Sequence, residues 1–318
     1  MNRPSAAIIP RRCVTVTHDM GTTGDDDRTQ ASPPACPSDH PLPGTQSAAL
    51  FHGTDAPIVA GMKINWDRTA GDYAAYRAGF PDEFYDRLAG YGIASSSGAQ
   101  KRALDLGTGT GTLARALAVR GWRVTGLDIS ADMIGAARRL DAATGVGLDY
   151  VVARSEATGL PSADFDLVSA GTCWHWFDQP AAAREAYRVL APNGRLVVAA
   201  MEWQSRAGNV VSATCDLIHK HNPQWPNDQL GFRFEWADDL SAAGFTIADR
   251  FEFDVTVPYT HEAWCGRIRA SAGVSASLAP ATVDAFDREH AELLRTLFPR
   301  EPLAVPHRVL AIVARKES

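Results

Sequence analysis

Residues 103–112 read Ala103-Leu104-Asp105-Leu106-Gly107-Thr108-Gly109-Thr110-Gly111-Thr112, and a helical stretch, Leu113 to Ala118, follows at once. A short apolar run, three glycines at alternate positions and a helix make the order strand, turn, helix. Glycine lets the turn tighten and lets backbone approach a ligand without a Cβ. The helix N-terminus behind it offers free N–H groups. This is a nucleotide or nucleoside site at the first crossover of an α/β sheet.

The surroundings of the glycines narrow the ligand. A nicotinamide fingerprint needs G-x-G-x-x-G/A directly after the strand. Counted from Gly107 the third glycine position is Thr112, and counted from Gly109 the pattern (Gly109, Gly111, Ala114) starts two residues late. Asp105 repels a pyrophosphate and suits an amine. Asp128 ends the next strand, Arg123–Asp128, where a carboxylate accepts from a ribose diol. The site asks for an amine near the glycines, a ribose at Asp128 and no phosphate.

That combination resembles the S-adenosylmethionine site of class I methyltransferases. Further motifs resemble the family in order: Ser155-Glu156-Ala157 with Leu160-Pro161 downstream, the strand Phe165–Ala170, Trp174-His175-Trp176-Phe177-Asp178, and the helix-turn-strand from Glu185 to Leu196. The third of these, at His175 to Asp178, is similar to the H-W-F-D signature of the small-molecule subgroup that includes ubiquinone/menaquinone-type and trans-aconitate-type enzymes. The resemblance runs from about Met62 to Arg315. It implies an S-adenosylmethionine-dependent methyltransferase, an enzyme moving a methyl group to a small-molecule acceptor by in-line displacement. It assigns the cofactor to Asp105, Gly107, Thr108, Gly109, Gly111, Asp128, Ile129, Glu156, Ala157, Gly171 and Arg77. Asp105 takes the amine, Asp128 the ribose, Ile129 the adenine face and Glu156 the adenine amino group. Glu156 stands where the family more often has Asp, and Thr172 where the subgroup often has Gln.

His175 is the candidate catalytic residue, either a base toward an attacking hydroxyl or a brace for its loop. Tyr73 and Arg77 share a helix face, with Arg77 either pairing with the cofactor carboxylate or solvated. Trp264, Arg267 and Arg269 either line a substrate pocket or pack and solvate. A non-catalytic S-adenosylmethionine-binding protein and a nicotinamide enzyme remain as alternatives.

The expected fold is α/β: a Rossmann-like doubly wound sheet of seven strands, with the last, as the resemblance implies, antiparallel and inserted between the fifth and sixth. Strands are expected at about 103–107, 123–128, 148–153, 165–170, 195–201, 245–257 and 309–314. Helices are expected at 112–119, 131–143, 179–190, 209–221 and 236–243. Ser130 is a natural N-cap, and Pro192-Asn193-Gly194 a turn before the fifth strand. Helices at about 72–91 and an insert at 261–306 are expected to cover the substrate.

The 318 residues carry a net charge of −6 with 21% charged residues, a poor balance for nucleic acid or an anionic membrane. No apolar run reaches a membrane span. Five cysteines (Cys13, Cys36, Cys173, Cys215, Cys265) without C-x-x-C spacing point to reduced thiols and the cytoplasm. No metal-ligand spacing is present, and His219 and His221 do not share a helix face. Residues 1–61 hold eight of the 19 prolines and none of the eight tryptophans. They read as a disordered extension, either a true tail or the product of a misplaced start before Met62. Residues 62–318 read as the methyltransferase domain.

Overall fold

In the computed structural model, the residues described are 58–59, 62–93, 101–225 and 231–318. The extension expected over residues 1–61 lies outside them, apart from Ile58–Val59 (β1), which pairs antiparallel with Met62–Lys63 (β2).

The remaining strands form one sheet: β3 (Arg102–Leu106), β4 (Arg123–Asp128), β5 (Asp149–Val152), β6 (Phe165–Gly171), β7 (Leu190–Trp203), β8 (Phe245–Tyr259) and β9 (Leu303–Lys316). Their order is β5-β4-β3-β6-β7-β9-β8. The first five run parallel, and β9 is antiparallel to both β7 and β8. The expected Rossmann-like sheet of seven strands is therefore present, with its final strand inserted as expected. Strand order reverses between β3 and β6, so a crevice opens above their carboxyl ends.

Short strands with apolar residues on both faces demand a cover on each side. In β7, Leu196 and Val198 face one core cluster while Val197 and Ala199 face the other, the period of two that a pleated strand imposes. The first face is covered by α5 (Gln179–Val189) and α7 (Trp236–Ala242), through Ala182, Ala186 and Leu240. The second is covered by α2 (Asp82–Ala89) and α3 (Thr112–Val119), through Phe84, Leu88 and Leu117. After β4 comes α4 (Ala131–Thr144), which packs on β4, β5 and the segment 66–76 and is capped by Ser130 as its sequence predicts: Met133 N donates to Ser130 Oγ at 3.1 Å.

A third apolar cluster lies among α6 (Val210–His221), α8 (His261–Arg269), α9 (Pro280–Leu297) and the ends of β8 and β9. The short α1 (Ala70–Tyr76) leans on α8. Gly266 is why they touch: a Cβ there would stand inside the Tyr76 ring. Arg269 then pairs with Asp72 of α1 (2.6 Å) and Asp287 of α9 (2.6 Å).

Three expectations change in detail. The turn at Pro192-Asn193-Gly194 is absorbed as a bulge within β7, with Asn193 at φ 64° and the pairing with β6 shifting across it. β9 starts at Leu303, because pairing on both sides extends a strand whose apolar run is visible only from Val309. Within the range expected to cover a substrate, α2 instead packs on the sheet. No described helix is long and apolar enough to cross a membrane.

Candidate active site

The glycine loop begins at the end of β3. Gly107, Gly109 and Gly111 have φ of 58°, 55° and 79°, a left-handed region costly for residues with a Cβ. Thr108 N donates to Leu127 O at 2.9 Å, tying the loop to β4. At Gly107 a Cβ would also meet Cys173 Sγ at 2.8 Å, so close approach as well as conformation demands glycine.

Two carboxylates, Asp105 buried and Asp128 half-buried, brace this loop. Thr108 Oγ1 and Ser169 Oγ each donate to Asp105 at 2.7 Å. Burial still pushes the Asp105 carboxyl up to about 6, with the Asp128 charge adding and the two hydroxyls opposing. Asp128 accepts from Gly109 N (2.8 Å) and Ser130 N (2.9 Å), and burial raises its pKa as well. The two acids thus fix the shape of the loop and face the space beside it.

Three contiguous cavities lie here, and Tyr73 and Thr172 line all of them. The first runs from Gly107 and Gly109 past Asp128 and Ile129 to Ser155 and Glu156. Ile129 is 42% exposed, an apolar side chain left open at the cleft wall. The second holds Asp105, Thr108, Gly171, Arg77 and Arg267. The third is a chamber of about 290 Å³ whose walls include Trp66, Trp176, Trp203 and Trp225, with His175 and Glu202.

Most of the residues expected at the cofactor line this space. Gly111 and Ala157 do not. Gly111 is a helix-start glycine, where a Cβ would meet the Tyr150 hydroxyl at 2.7 Å and Arg115 Nη1 at 2.8 Å. Ala157 is turned away by its bridge to Arg154. Glu156 reaches the cleft with its carboxylate already engaged by Asp178 N (3.0 Å) and Arg154 Nε (3.4 Å). Of the insert residues, Trp264 is buried with its Nε1 on Thr214, and Arg269 is spent on its two acids. Of the three insert residues singled out from sequence, Arg267 is the one that lines the cavities, joined there by Ala270, Ser271 and Ala272.

His175 lines the chamber from a single 3₁₀ turn, Trp174–Trp176. It makes no hydrogen bond to a described residue, and its ring centroid lies 4.7 Å from that of Trp176. Burial, helped by the Arg77 charge, lowers its pKa to about 3. Thr172 has φ 60°, held by Thr172 N to Ala199 O (2.7 Å) and Met201 N to Thr172 Oγ1 (3.2 Å). Backbone strain of this kind concentrates at functional sites.

Glu202 was not singled out from sequence. Its Oε1 accepts from Phe232 N at 2.7 Å, and burial raises its pKa. The readable signal is position: Met201-Glu202-Trp203 ends a long apolar strand, where ligands bind in open sheets.

Residues 104–198 match the model of a family described as methyltransferase domain. This stretch is a methyltransferase domain of the class I type. The domain is 44% identical over 103 residues to a demethylmenaquinone methyltransferase of Thermus thermophilus, a match covering 31% of this chain and 47% of that one. It is similar to a malonyl-[acyl-carrier protein] O-methyltransferase of Serratia marcescens, 37% identical over 130 residues, covering 41% and 48% of the two chains. The chain thus spans about half the length of these two relatives. An uncharacterised methyltransferase of Mycobacterium tuberculosis is 27% identical over 188 residues, 52% of this chain and 72% of that one. Among solved structures, a Haemonchus contortus phosphoethanolamine N-methyltransferase in complex with S-adenosylhomocysteine covers 79% of this chain and 58% of its own, with 18% identity and a TM-score of 0.48.

Proposed function

We propose that the protein transfers the methyl group of S-adenosylmethionine to a small molecule held in the tryptophan-walled chamber. The observation that carries this is the pair of carboxylates, Asp105 buried and Asp128 half-buried at the cleft, both bonded to one glycine loop, with the chamber opening beside them. Asp128 accepts from the ribose hydroxyls, and Ile129 gives the adenine an apolar wall. Asp105, with Thr108, receives the ammonium, and Arg77 pairs with the methionine carboxylate. Glu156 accepts from the adenine amino group only by sharing an oxygen already held by Asp178 N.

The acceptor's lone pair forms a bond to the methyl carbon as the carbon–sulfur bond breaks, and that electron pair stays on sulfur. The protein's share is positioning and exclusion of water. His175 is neutral at physiological pH and resists protonation, so it contributes packing more than proton removal. Glu202, a half-buried carboxylate whose Oε2 takes no hydrogen bond from a described residue, is better suited to accept from an acceptor's O–H or N–H.

S-adenosylhomocysteine should raise the melting temperature, and NAD should not. Stabilisation by NAD alone would overturn the reading. Binding of S-adenosylhomocysteine with no consumption of S-adenosylmethionine across an acceptor screen would instead favour a non-catalytic binding protein.

A further inference from the structure

The inference rests on the methyl-transfer reading and adds the class of acceptor. Arg77 follows the last residue of α1, and Arg267 lies on α8; the contact at Gly266 brings both to the same cavities. Neither guanidinium forms an ion pair with a described residue. Each lies over an aromatic ring, Arg77 over Tyr73 at 4.6 Å and Arg267 over Trp203 at 4.7 Å. Burial lowers the Arg267 pKa to about 10, and the Arg77 charge adds to that shift. Cation–ring contacts do not replace a counter-ion for an enclosed charge.

A second observation points the same way. The Tyr259 hydroxyl lies close enough to Arg267 to oppose that shift, yet it is buried and makes no hydrogen bond of acceptable geometry. A buried polar atom without a partner calls for a missing one. Tyr259 and Arg267 line the same cavity.

Pairing the charges of the bound donor leaves two cations over. Its carboxylate matches Arg77 and its ammonium matches Asp105. The sulfonium and Arg267 remain. Glu202 is the described carboxylate on the chamber, and it makes no ion pair with Arg267. We infer that the methyl acceptor is a carboxylic acid with an aromatic or otherwise apolar body, whose carboxylate pairs with Arg267 and the Tyr259 hydroxyl while its body lies among the tryptophans. A guanidinium fork matches a carboxylate in two parallel hydrogen bonds. The acid also brings negative charge beside the sulfonium before transfer.

The test uses the full chain saturated with S-adenosylhomocysteine and two probe pairs, phenylacetate with phenylacetamide and indole-3-acetate with indole-3-acetamide. Calorimetry should give at least one acid binding about tenfold or more tighter than its amide, the size of one charge-assisted interaction. In Arg267→Met that acid-over-amide ratio should fall to near one. Arg267→Lys should keep part of it. Tyr259→Phe, a smaller change, should weaken the acid about two- to tenfold and leave the amide unmoved. Should Arg267→Met fail to fold, the other two variants decide by the same ratio. Loss of S-adenosylhomocysteine binding by the unaltered protein would defeat the cofactor reading itself. Intact S-adenosylhomocysteine binding with no acid bound, with amides bound equally well, or with the ratio unchanged in every variant overturns the assignment of Arg267.

Discussion

In the cleft beside the glycine loop each carboxylate already has its donors, whereas in the adjoining chamber the guanidiniums of Arg77 and Arg267 form no ion pair with a described carboxylate. The cleft is organised before any ligand arrives, so it recognises one invariant molecule at little reorganisation cost. The chamber keeps its strongest charges unmatched and its walls aromatic, so its specificity is completed by what enters. The two regions should respond differently to substitution.

The sharpest break is Gly107→Ala. The left-handed conformation costs about 1–2 kcal/mol, and overpacking against Cys173 and Phe177 adds about 1–3 kcal/mol. Affinity for S-adenosylhomocysteine should fall on the order of a hundredfold or more. Gly109→Ala carries the conformational cost alone, since the nearest atom to its Cβ would be Tyr73 Cε1 at 3.8 Å. Equal losses in the two variants, measured by calorimetry, would show that close packing under Gly107 is not what the loop requires.

Next is Asp128→Ala, with an expected loss of about 1.5–3 kcal/mol in S-adenosylhomocysteine affinity. Stability should drop too, by about 1–3 kcal/mol, because the N–H groups of Gly109 and Ser130 lose their acceptor. A folded variant with unchanged affinity would remove the ribose role.

Third is pH. Asp105 has its pKa raised by burial to about 6, above the roughly 3.9 of an unfolded chain. Its contribution to stability is therefore present below the unfolded value and lost as pH rises through about 6. Ligand binding has the opposite sign, since an ammonium favours the ionised acid. Affinity should fall below pH 6, by up to about tenfold per unit, and Asp105→Asn should flatten the curve. The histidines lining the site, His175 at about 3 and His307 at about 4, titrate too low to mimic it. A flat profile for the unaltered protein between pH 5 and 7 would separate Asp105 from the amine.

The smallest effect is expected at His175→Ala. A general base would contribute about 10²–10⁴ in turnover, and the loss here should stay below that range, with modest declines in binding and melting temperature. A pure turnover loss of a thousandfold in a variant of native stability would restore the base.

The same contrast explains what the sequence reveals. Strand–glycine–helix order, the acids at two strand ends and the apolar run of the final strand depend on local pattern and backbone geometry, so the strands and the loop from Asp105 to Gly109 are legible in contiguous residues, while the antiparallel direction of the last strand rests on the family resemblance. Gly111 and Ala157 mislead because a motif does not say which way each residue faces: one glycine makes room for Tyr150, and the alanine turns outward with its bridge. The chamber is assembled from residues 66–77, 201–205, 225 and 267–272, far apart along the chain. Its geometry turns on Gly266, which in sequence is one more glycine within a helix, and on Glu202, an acid at the end of a strand. Arg267 and Arg269 look alike two residues apart, yet one is neutralised by Asp72 and Asp287 and the other is left to the cavity.

The attachment of α1 carries a kinetic consequence. Ala70 is the buried residue of this short helix, and its outer side is held by Arg269 to Asp72 and by Tyr76 Oη to Glu262 Oε1. Tyr73, on the same helix, stands over Gly109. Lifting α1 would part these ions and also draw Tyr73 and Ala74 off Met133 and Ala136, and the Tyr76 ring off Gly266. Dissolved salt steadies separated charges and so eases the ionic part of that motion. Where departure of product limits the cycle, the pace of this protein would follow the ionic strength of its surroundings.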